Sequence, residues 1–169
     1  MSINPALDTW RFCPRCGSED VVVEFPRHTH CRSCGRHEFH NPKPVASTIP
    51  FTADGEVVLL RRGFDPGRGL WTFPGGFVDL GESVEHAAHR EAMEELEVRL
   101  ELTGLVGVYS RPEDRIVLVV FRGRLDEEPR TTPEATEVRA FAPADVPWDE
   151  LAFWSTRAAL QDALGVARD

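Results

Sequence analysis

The sequence predicts an α/β fold, preceded by a small unit built on cysteines. Three observations carry this expectation. All four cysteines fall within the first 34 of 169 residues, as two Cys-x-x-Cys pairs. The remainder alternates short β-branched and apolar runs with turns rich in Gly, Pro and Asp. Among those runs lies a stretch near residues 84–97 whose small apolar residues recur at helical spacing.

The cysteines come first. Cys13-Pro14-Arg15-Cys16-Gly17 and Cys31-Arg32-Ser33-Cys34-Gly35 leave 14 residues between the two pairs. Each turn can present two thiolates to one ion, the following glycine permits the tight backbone, and four sulfurs complete the tetrahedron that zinc prefers. The spacing is that of a zinc ribbon, with Cys13, Cys16, Cys31 and Cys34 as structural ligands. Disulfides are the alternative and are uncommon in a cytosolic chain. His28, His30 and His37 are expected at the surface, because the thiolates fill the coordination sphere.

Residues 1–40 are assigned to the ribbon and 41–169 to the second domain. Asn41-Pro42-Lys43-Pro44 is a stiff connector that cannot continue a helix. Val45 to Thr52 reads as a strand, Ala53-Asp54-Gly55 as a hairpin turn and Glu56 to Arg62 as the partner strand. A loop over Gly63 to Gly69 leads to a short strand, Leu70-Trp71-Thr72-Phe73, and then to a turn at Pro74-Gly75-Gly76 where backbone can approach a ligand. Ser83 is the expected N-cap of a helix reaching about Glu97. Strands follow at Leu105 to Tyr109 and Ile116 to Leu125, the second apolar on both faces as a central strand would be. A polar loop, Asp126 to Ala135, precedes a strand at Thr136 to Phe141. Ser155 is expected to cap a last helix ending near Gly165.

Composition narrows the function classes. A hydrophobic content of 41% suits a globular chain, and no run approaches the roughly 20 apolar residues of a membrane span. The first residues, MSINPALDTWRF, lack the charged and apolar regions of a signal peptide, so a cytoplasmic location is expected. A formal charge of −9 opposes broad nucleic-acid binding. The first 40 residues do carry five arginines and several histidines, but with little aromatic interleaving. A phosphate-bearing ligand must be met by metal or by local arginines, with Arg61, Arg62, Arg68, Arg111 and Arg115 as candidates.

Glu91, Glu94 and Glu95 stand at helical offsets of zero, three and four, so they share one arc with or beside Val84, Ala87, Ala88 and Ala92. His86, His89, Arg90 and Glu97 are expected to point elsewhere, leaving the carboxylates partly buried with no partner in the helix. Two such charges about 4 Å apart repel by roughly 4 kcal/mol at an effective dielectric near 20, so the cluster calls for a divalent cation.

The wider spacing is Gly76, five residues, Glu82, seven residues, Arg90-Glu91-Ala92, one residue, Glu94-Glu95, one residue, Glu97-Val98. It resembles the box of the Nudix hydrolase family, G-x5-E-x7-R-E-U-x-E-E-x-G-U, with Ala92 at an apolar position and Glu97 where the family has glycine. Together with the ribbon, Gly69 to Gly76 and the tail Val146-Pro147-Trp148-Asp149-Glu150-Leu151-Ala152-Phe153, the chain is similar to zinc-ribbon Nudix hydrolases over nearly its whole length. That resemblance implies an α/β/α sandwich with a mixed sheet, a homodimer, and hydrolysis of the diphosphate in a nucleoside diphosphate linked to another moiety, a dinucleotide or nucleotide sugar. It implies magnesium or manganese held by Glu94 and Glu95, by Glu91 as ligand or general base, and by the Gly76 carbonyl, with Glu82 and Arg90 orienting them. Glu134 and Glu137 are further candidates for the base, Glu137 preferred.

For substrate the resemblance points first to FAD or ADP-ribose. NADH pyrophosphatases carry aromatic residues after the box where this chain has Ser110-Arg111-Pro112-Glu113-Asp114, so NADH or NAD, including the NAD cap of an RNA, is the alternative. A silent nucleotide sensor is a third reading, against which the glutamates are all retained. Arg62, Arg68 and Arg111 are the candidate substrate-binding cations. Phe64, Trp71, Tyr109, Trp148 and Trp154 are candidate stacking residues, most of them expected in the core.

Overall fold

The structure is a computed structural model that describes residues 10–24 and 28–167. The parts of the expected ribbon at 1–9 and 25–27 lie outside the described residues, as do 168–169. The chain divides into two compact units, 1–42 and 43–169.

The first unit is a three-stranded antiparallel sheet of β1 (Val21–Glu24), β2 (His28–Cys31) and β3 (His37–Phe39), in that order. Two short hairpins therefore make the ribbon. Gly17 and Gly35 follow the two cysteine pairs at φ 71° and 72°, the left-handed conformation that glycine adopts without a Cβ penalty. Their N–H groups donate to Cys13 O at 2.9 Å and Cys31 O at 2.8 Å, so the two turns are near copies.

The second unit is an α/β/α sandwich. Its elements are β4 (Lys43–Phe51), β5 (Val57–Arg62), β6 (Trp71–Thr72), β7 (Gly75–Phe77), α1 (Val84–Leu96), β8 (Leu100–Tyr109), β9 (Ile116–Leu125), β10 (Ala135–Phe141) and α2 (Trp154–Leu164). The sheet order is β10-β5-β4-β9-β8, with β4 and β9 parallel and the other neighbours antiparallel, which makes the sheet mixed. Along β5 the side chains alternate between two cores. Val57 and Leu59 join Ile49, Val120 and the α2 residues Ala159 and Leu160 on one face. Val58 and Leu60 join Ala92, Leu96 and Val98 on the other. Ala87 and Ala88 sit fully buried on Ala46 and Phe121, their small side chains letting α1 lie close to the sheet.

Several sequence expectations are corrected. The strands β4 and β5 pair only at Phe51↔Val57 and then part. The segment from Trp71 to Phe77 fills the split, with β6 on β5 and β7 on β4. Gly75 and Gly76 are thus strand residues and not a turn. A Cβ on Gly75 would lie 1.8 Å from Ser47 Oγ, so only glycine can pair there. Strand β8 begins five residues earlier than expected, because Leu100 and Leu102 pack beneath α1. Strand β9 has the expected bounds but lies second from the edge, while β4 is central.

Helix α1 starts as expected, with Ser83 Oγ accepting from His86 N at 3.2 Å. It ends on Glu97, which takes the left-handed conformation at φ 55° and donates its N–H to Met93 O. Helix α2 begins at Trp154 with Phe153 at the N-cap and no side-chain cap, so Ser155 lies inside the first turn and does not cap it. No helix among the described residues is long and apolar enough to cross a membrane.

Glu97→Gly should stabilise the fold by up to about 1 kcal/mol, because it removes the Cβ penalty of the left-handed position. The substitution also removes an exposed ion pair, Glu97 to Arg130 at 3.6 Å, which is worth little. A thermal melt checks this, and a lower melting temperature in the variant would show that Glu97 is held by more than its backbone.

Candidate active site

Helical spacing sets the carboxylates, but not all three are equivalent. Glu91 and Glu95, one turn apart, are 9% and 4% exposed, whereas Glu94 faces solvent. Arg90, expected to point away, does the opposite. Its Nη1 donates to Glu91 Oε1 at 2.7 Å and Glu94 Oε2 at 3.0 Å, and its Nη2 to Glu82 Oε1 at 2.7 Å and the Phe77 carbonyl at 2.9 Å. The long side chain folds back along the helix, where Glu94 at i+4 is a neighbour. Glu82 also accepts from the Asp79 N–H at 2.7 Å, which ties the preceding loop to the helix. Arg90 holds the Glu82 carboxyl below its ordinary range, and these partners raise the Arg90 pKa.

Backbone of β7 lies directly on the buried pair. The Gly75 N–H donates to Glu95 Oε2 at 3.0 Å, and a Cβ on Gly76 would come within 2.4 Å of Glu91 Oε1. Burial pushes the Glu95 carboxyl up to about 7, with Glu91 and Glu134 adding repulsion and the Gly75 N–H and Arg62 opposing it. Burial raises Glu91 as well, against the pull of Arg90. Arg90 engages one oxygen each of Glu91 and Glu94. Glu91 and Glu95, with Glu94 at the rim, could supply hard oxygen donors to a divalent cation; their carboxylates are not drawn together as the cysteine sulfurs are, and Arg90 Nη1 bridges Glu91 and Glu94. The ionised form of Glu95 is costly without such a cation.

These groups open on a cavity of about 560 Å³. Glu91, Glu95 and Glu134 line one part of it, and Arg62 is the one cation among its lining residues. Arg62 is held in place: its Nε donates to Pro66 O at 2.7 Å, and its guanidinium lies 4.8 Å from the Phe64 ring and 5.1 Å from the Phe153 ring. Arg68 is exposed and outside the cavity lining. Arg111 is outside it too, but stacks 3.9 Å over Trp154, which does line it. Of the candidate stacking residues, Phe64 and Trp154 border the cavity, while Trp71 and Tyr109 are core and Trp148 packs on the core.

Glu137, the preferred candidate for the base, is placed apart from the cavity carboxylates. It pairs with Arg61 Nε at 3.1 Å and with Arg139, outside the cavity lining, whereas Glu134 is part of that lining. The pairing of β10 with β5 shifts register between Ala135 and Glu137. Sequence reasoning also passed over Phe73, Phe77, Phe153 and Ser155 as lining residues. Nothing local marks them, since they meet only through the packing of β6, β7 and α2.

In the first unit the four Sγ atoms lie within 4.8 Å of one another, the one such group of three or more metal-ligating side chains among the described residues. Cys13 to Cys34 and Cys16 to Cys31 are each 3.7 Å apart, too long for a disulfide near 2.05 Å. They match the edge of a tetrahedron with bonds of about 2.3 Å. Burial pushes Cys13 up, but the Cys16 and Arg15 amides outweigh it and hold the thiol at about 6. The Ser18 amide pulls Cys16 down, but the surrounding thiols outweigh it and raise that group to about 12. Clustered thiols that cannot all ionise together are the signature of a site completed by a cation. The cluster can hold a metal ion.

A sequence profile of the NUDIX domain matches residues 41–162. The NAD-capped RNA hydrolase NudC of Pseudomonas aeruginosa (strain LESB58) is 33% identical over 113 residues, 66% of this chain but 39% of that relative. The chain thus spans about two fifths of the length of the curated relative it matches. The crystal structure of a NUDIX hydrolase from Nitrosomonas europaea superposes with a TM-score of 0.84 and 33% identity, covering 92% of this chain and 91% of that one. An ADP-ribose pyrophosphatase from Streptococcus suis gives a TM-score of 0.60 and 27% identity, covering 73% and 89%.

The raised Glu95 pKa has a stability consequence of definite sign. The folded protein keeps that proton to about pH 7, whereas the unfolded chain releases it near 4.5. The associated stability is therefore present below about 4.5 and lost as pH rises through about 7, a change of roughly 3 kcal/mol. Without divalent metal at the carboxylates, the melting temperature should fall between pH 5 and 8, and Glu95→Gln should flatten that slope. Parallel profiles for the two proteins would remove Glu95 as its source.

Proposed function

The chain belongs to the NUDIX hydrolase family, and from that premise we propose that it cleaves the diphosphate linkage of a nucleoside diphosphate joined to a second moiety, with FAD or ADP-ribose the leading substrates. The observation that carries this reading is the seating of Glu91 and Glu95 under the Gly75-Gly76 backbone, open to a cavity of a size that holds a small ligand. Magnesium or manganese bound there supplies charge neutralisation and a water of lowered pKa.

The chain's own residues divide the remaining work. Glu91, Glu94, Glu95 and the Gly76 carbonyl hold the cation. Arg90 keeps Glu91 and Glu94 in position from behind, and Glu82 locks Arg90 to the loop. Arg62, fixed between two rings, takes charge of the diphosphate. Glu134 replaces Glu137 as the candidate proton acceptor across the cavity, beside Glu91. The apolar and aromatic lining, with Phe73, Phe77 and Trp154, suits a ring-bearing substrate and excludes water around the bond.

A second reading is hydrolysis of NADH or NAD, including the NAD cap of an RNA. The relative from Pseudomonas aeruginosa, an NAD-capped RNA hydrolase, favours it. The loop Ser110 to Asp114, without aromatic residues, weighs against it. Under either reading the ribbon is residues 1–40 with zinc as its ion, the hydrolase is 41–169, and the protein is a cytoplasmic homodimer. The first unit has only Cys13, Thr29 and Cys31 buried among its described residues, so little apolar surface supports it without a metal.

Incubation with magnesium and a panel of FAD, NADH, NAD, ADP-ribose and nucleoside triphosphates tests the main reading. FAD or ADP-ribose should turn over fastest, and no turnover of any by folded, metallated protein would sink it. Glu94→Gln should lower the rate by about 100-fold or more, since a ligand charge is lost with shape nearly kept. Metal analysis should find one zinc per chain, and Cys31→Ser should abolish it. Full zinc retention in that variant would place the ion elsewhere.

A further inference from the structure

Helix α2 starts at the cavity wall with its end uncapped. Phe153 holds the N-cap position, where a side-chain oxygen would close the first turn, and it has none. The first backbone bond beyond it runs from Arg157 N to Phe153 O at 3.2 Å, so the N–H groups of Trp154, Ser155 and Thr156 precede the intrahelical ladder. Trp154, Ser155 and Thr156 all line the same cavity as Glu91, Glu95 and Arg62.

Ser155 supplies an independent observation. It is 8% exposed, it lines the cavity, and its hydroxyl has no hydrogen-bond partner among the described residues. Its neighbour Thr156 shows how such a hydroxyl is ordinarily satisfied, with Oγ1 paired to Thr72 Oγ1 at 3.1 Å. The hydroxyl is not one of the fully buried unpartnered atoms among the described residues, so it opens on the cavity, where a ligand can pair with it. Arg62 adds a full positive charge beside this end, its guanidinium 5.1 Å from the ring of the N-cap residue. Asp114 also lines the cavity near Trp154, and its Oδ2 is engaged by Trp154 Nε1 at 2.6 Å. Donors, a helix terminus of about half a positive charge and a fixed guanidinium therefore face the acidic part of the cavity.

We propose that the uncapped N-terminus of α2, with the Ser155 hydroxyl and Arg62, is a phosphate subsite that holds the half of the substrate's diphosphate turned away from the glutamates. The assignment rests on the diphosphate hydrolase reading for its orientation. The subsite explains how a chain with a net charge of −9 and four carboxylates in one cavity can seat a doubly charged group. One phosphate is drawn to the cation end, and the other meets backbone N–H groups, a hydroxyl and an arginine.

The test uses the full chain and inorganic pyrophosphate in magnesium-free buffer, followed through backbone amide shifts. The N–H signals of Trp154, Ser155 and Thr156 should move on titration. Ser155→Ala should weaken pyrophosphate binding about tenfold, and Ser155→Asp, which puts a carboxylate on the helix end, by more than that. Ser155→Thr should bind nearly as the parent does. Amides of 154–156 that stay fixed at saturation overturn the subsite, and that readout needs no variant to fold. Parent-like affinity in folded Ser155→Ala and Ser155→Asp overturns it equally. The two readings fail separately: absent hydrolysis with intact pyrophosphate binding at α2 condemns the proposed activity, whereas normal hydrolysis and KM in Ser155→Asp condemns the subsite.

Discussion

The hydrogen bond from Gly75 N–H to Glu95 is the contact around which the second unit is organised. It requires β7 to lie on α1 with no side chain between them, which both Gly75 and Gly76 satisfy. It also requires β7 to be held in place from the other side, and that is why β4 and β5 part after Phe51 and Val57. The split admits Trp71 to Phe77, whose Gly75 closes on Ser47 so tightly that a Cβ has no room. A carboxylate is thereby largely buried, within hydrogen-bond reach of backbone, in the wall of the cavity. Its raised pKa is the electrostatic record of that placement.

Charge is distributed around this contact with few surplus groups. Arg90 serves three glutamates and one carbonyl, so removing any single partner leaves it still bound. Such a hub orients Glu91 and Glu94 without entering the cavity, whose own cation is Arg62 at the end of β5. The acidic and basic parts of the cavity are therefore built by different layers. The helix on one face of the sheet carries the carboxylates, and the helix on the other face presents its N-terminus. A diphosphate carries charge enough to answer both.

The ribbon follows a separate logic. Two near-identical turns, each closed by a left-handed glycine, bring the four sulfurs to tetrahedral spacing. Short strands supply little core, so a metal held by the four sulfurs would add more to this unit's stability than its packing does.

Much of this was legible in the linear chain. Helical spacing put Glu91, Glu94 and Glu95 on one side of α1, and Ser83 marked its start. Cysteine spacing gave the ribbon, and turn residues gave most strand bounds. These are local properties, set by backbone period and by which residues tolerate which dihedral angles. Other features were decided only by the tertiary structure. Period fixes the angle of a side chain about its helix but not what packs there, so Arg90 turned inward and Glu94 outward. Glu134 lines the cavity and Glu137 pairs with Arg61 and Arg139, a division set by what packs beside each of them. The cavity itself joins Thr72 to Thr156, 84 residues apart, and put Ser155 in its wall instead of at a cap. Such contacts depend on the sum of all packing interactions, and no window of sequence contains that sum.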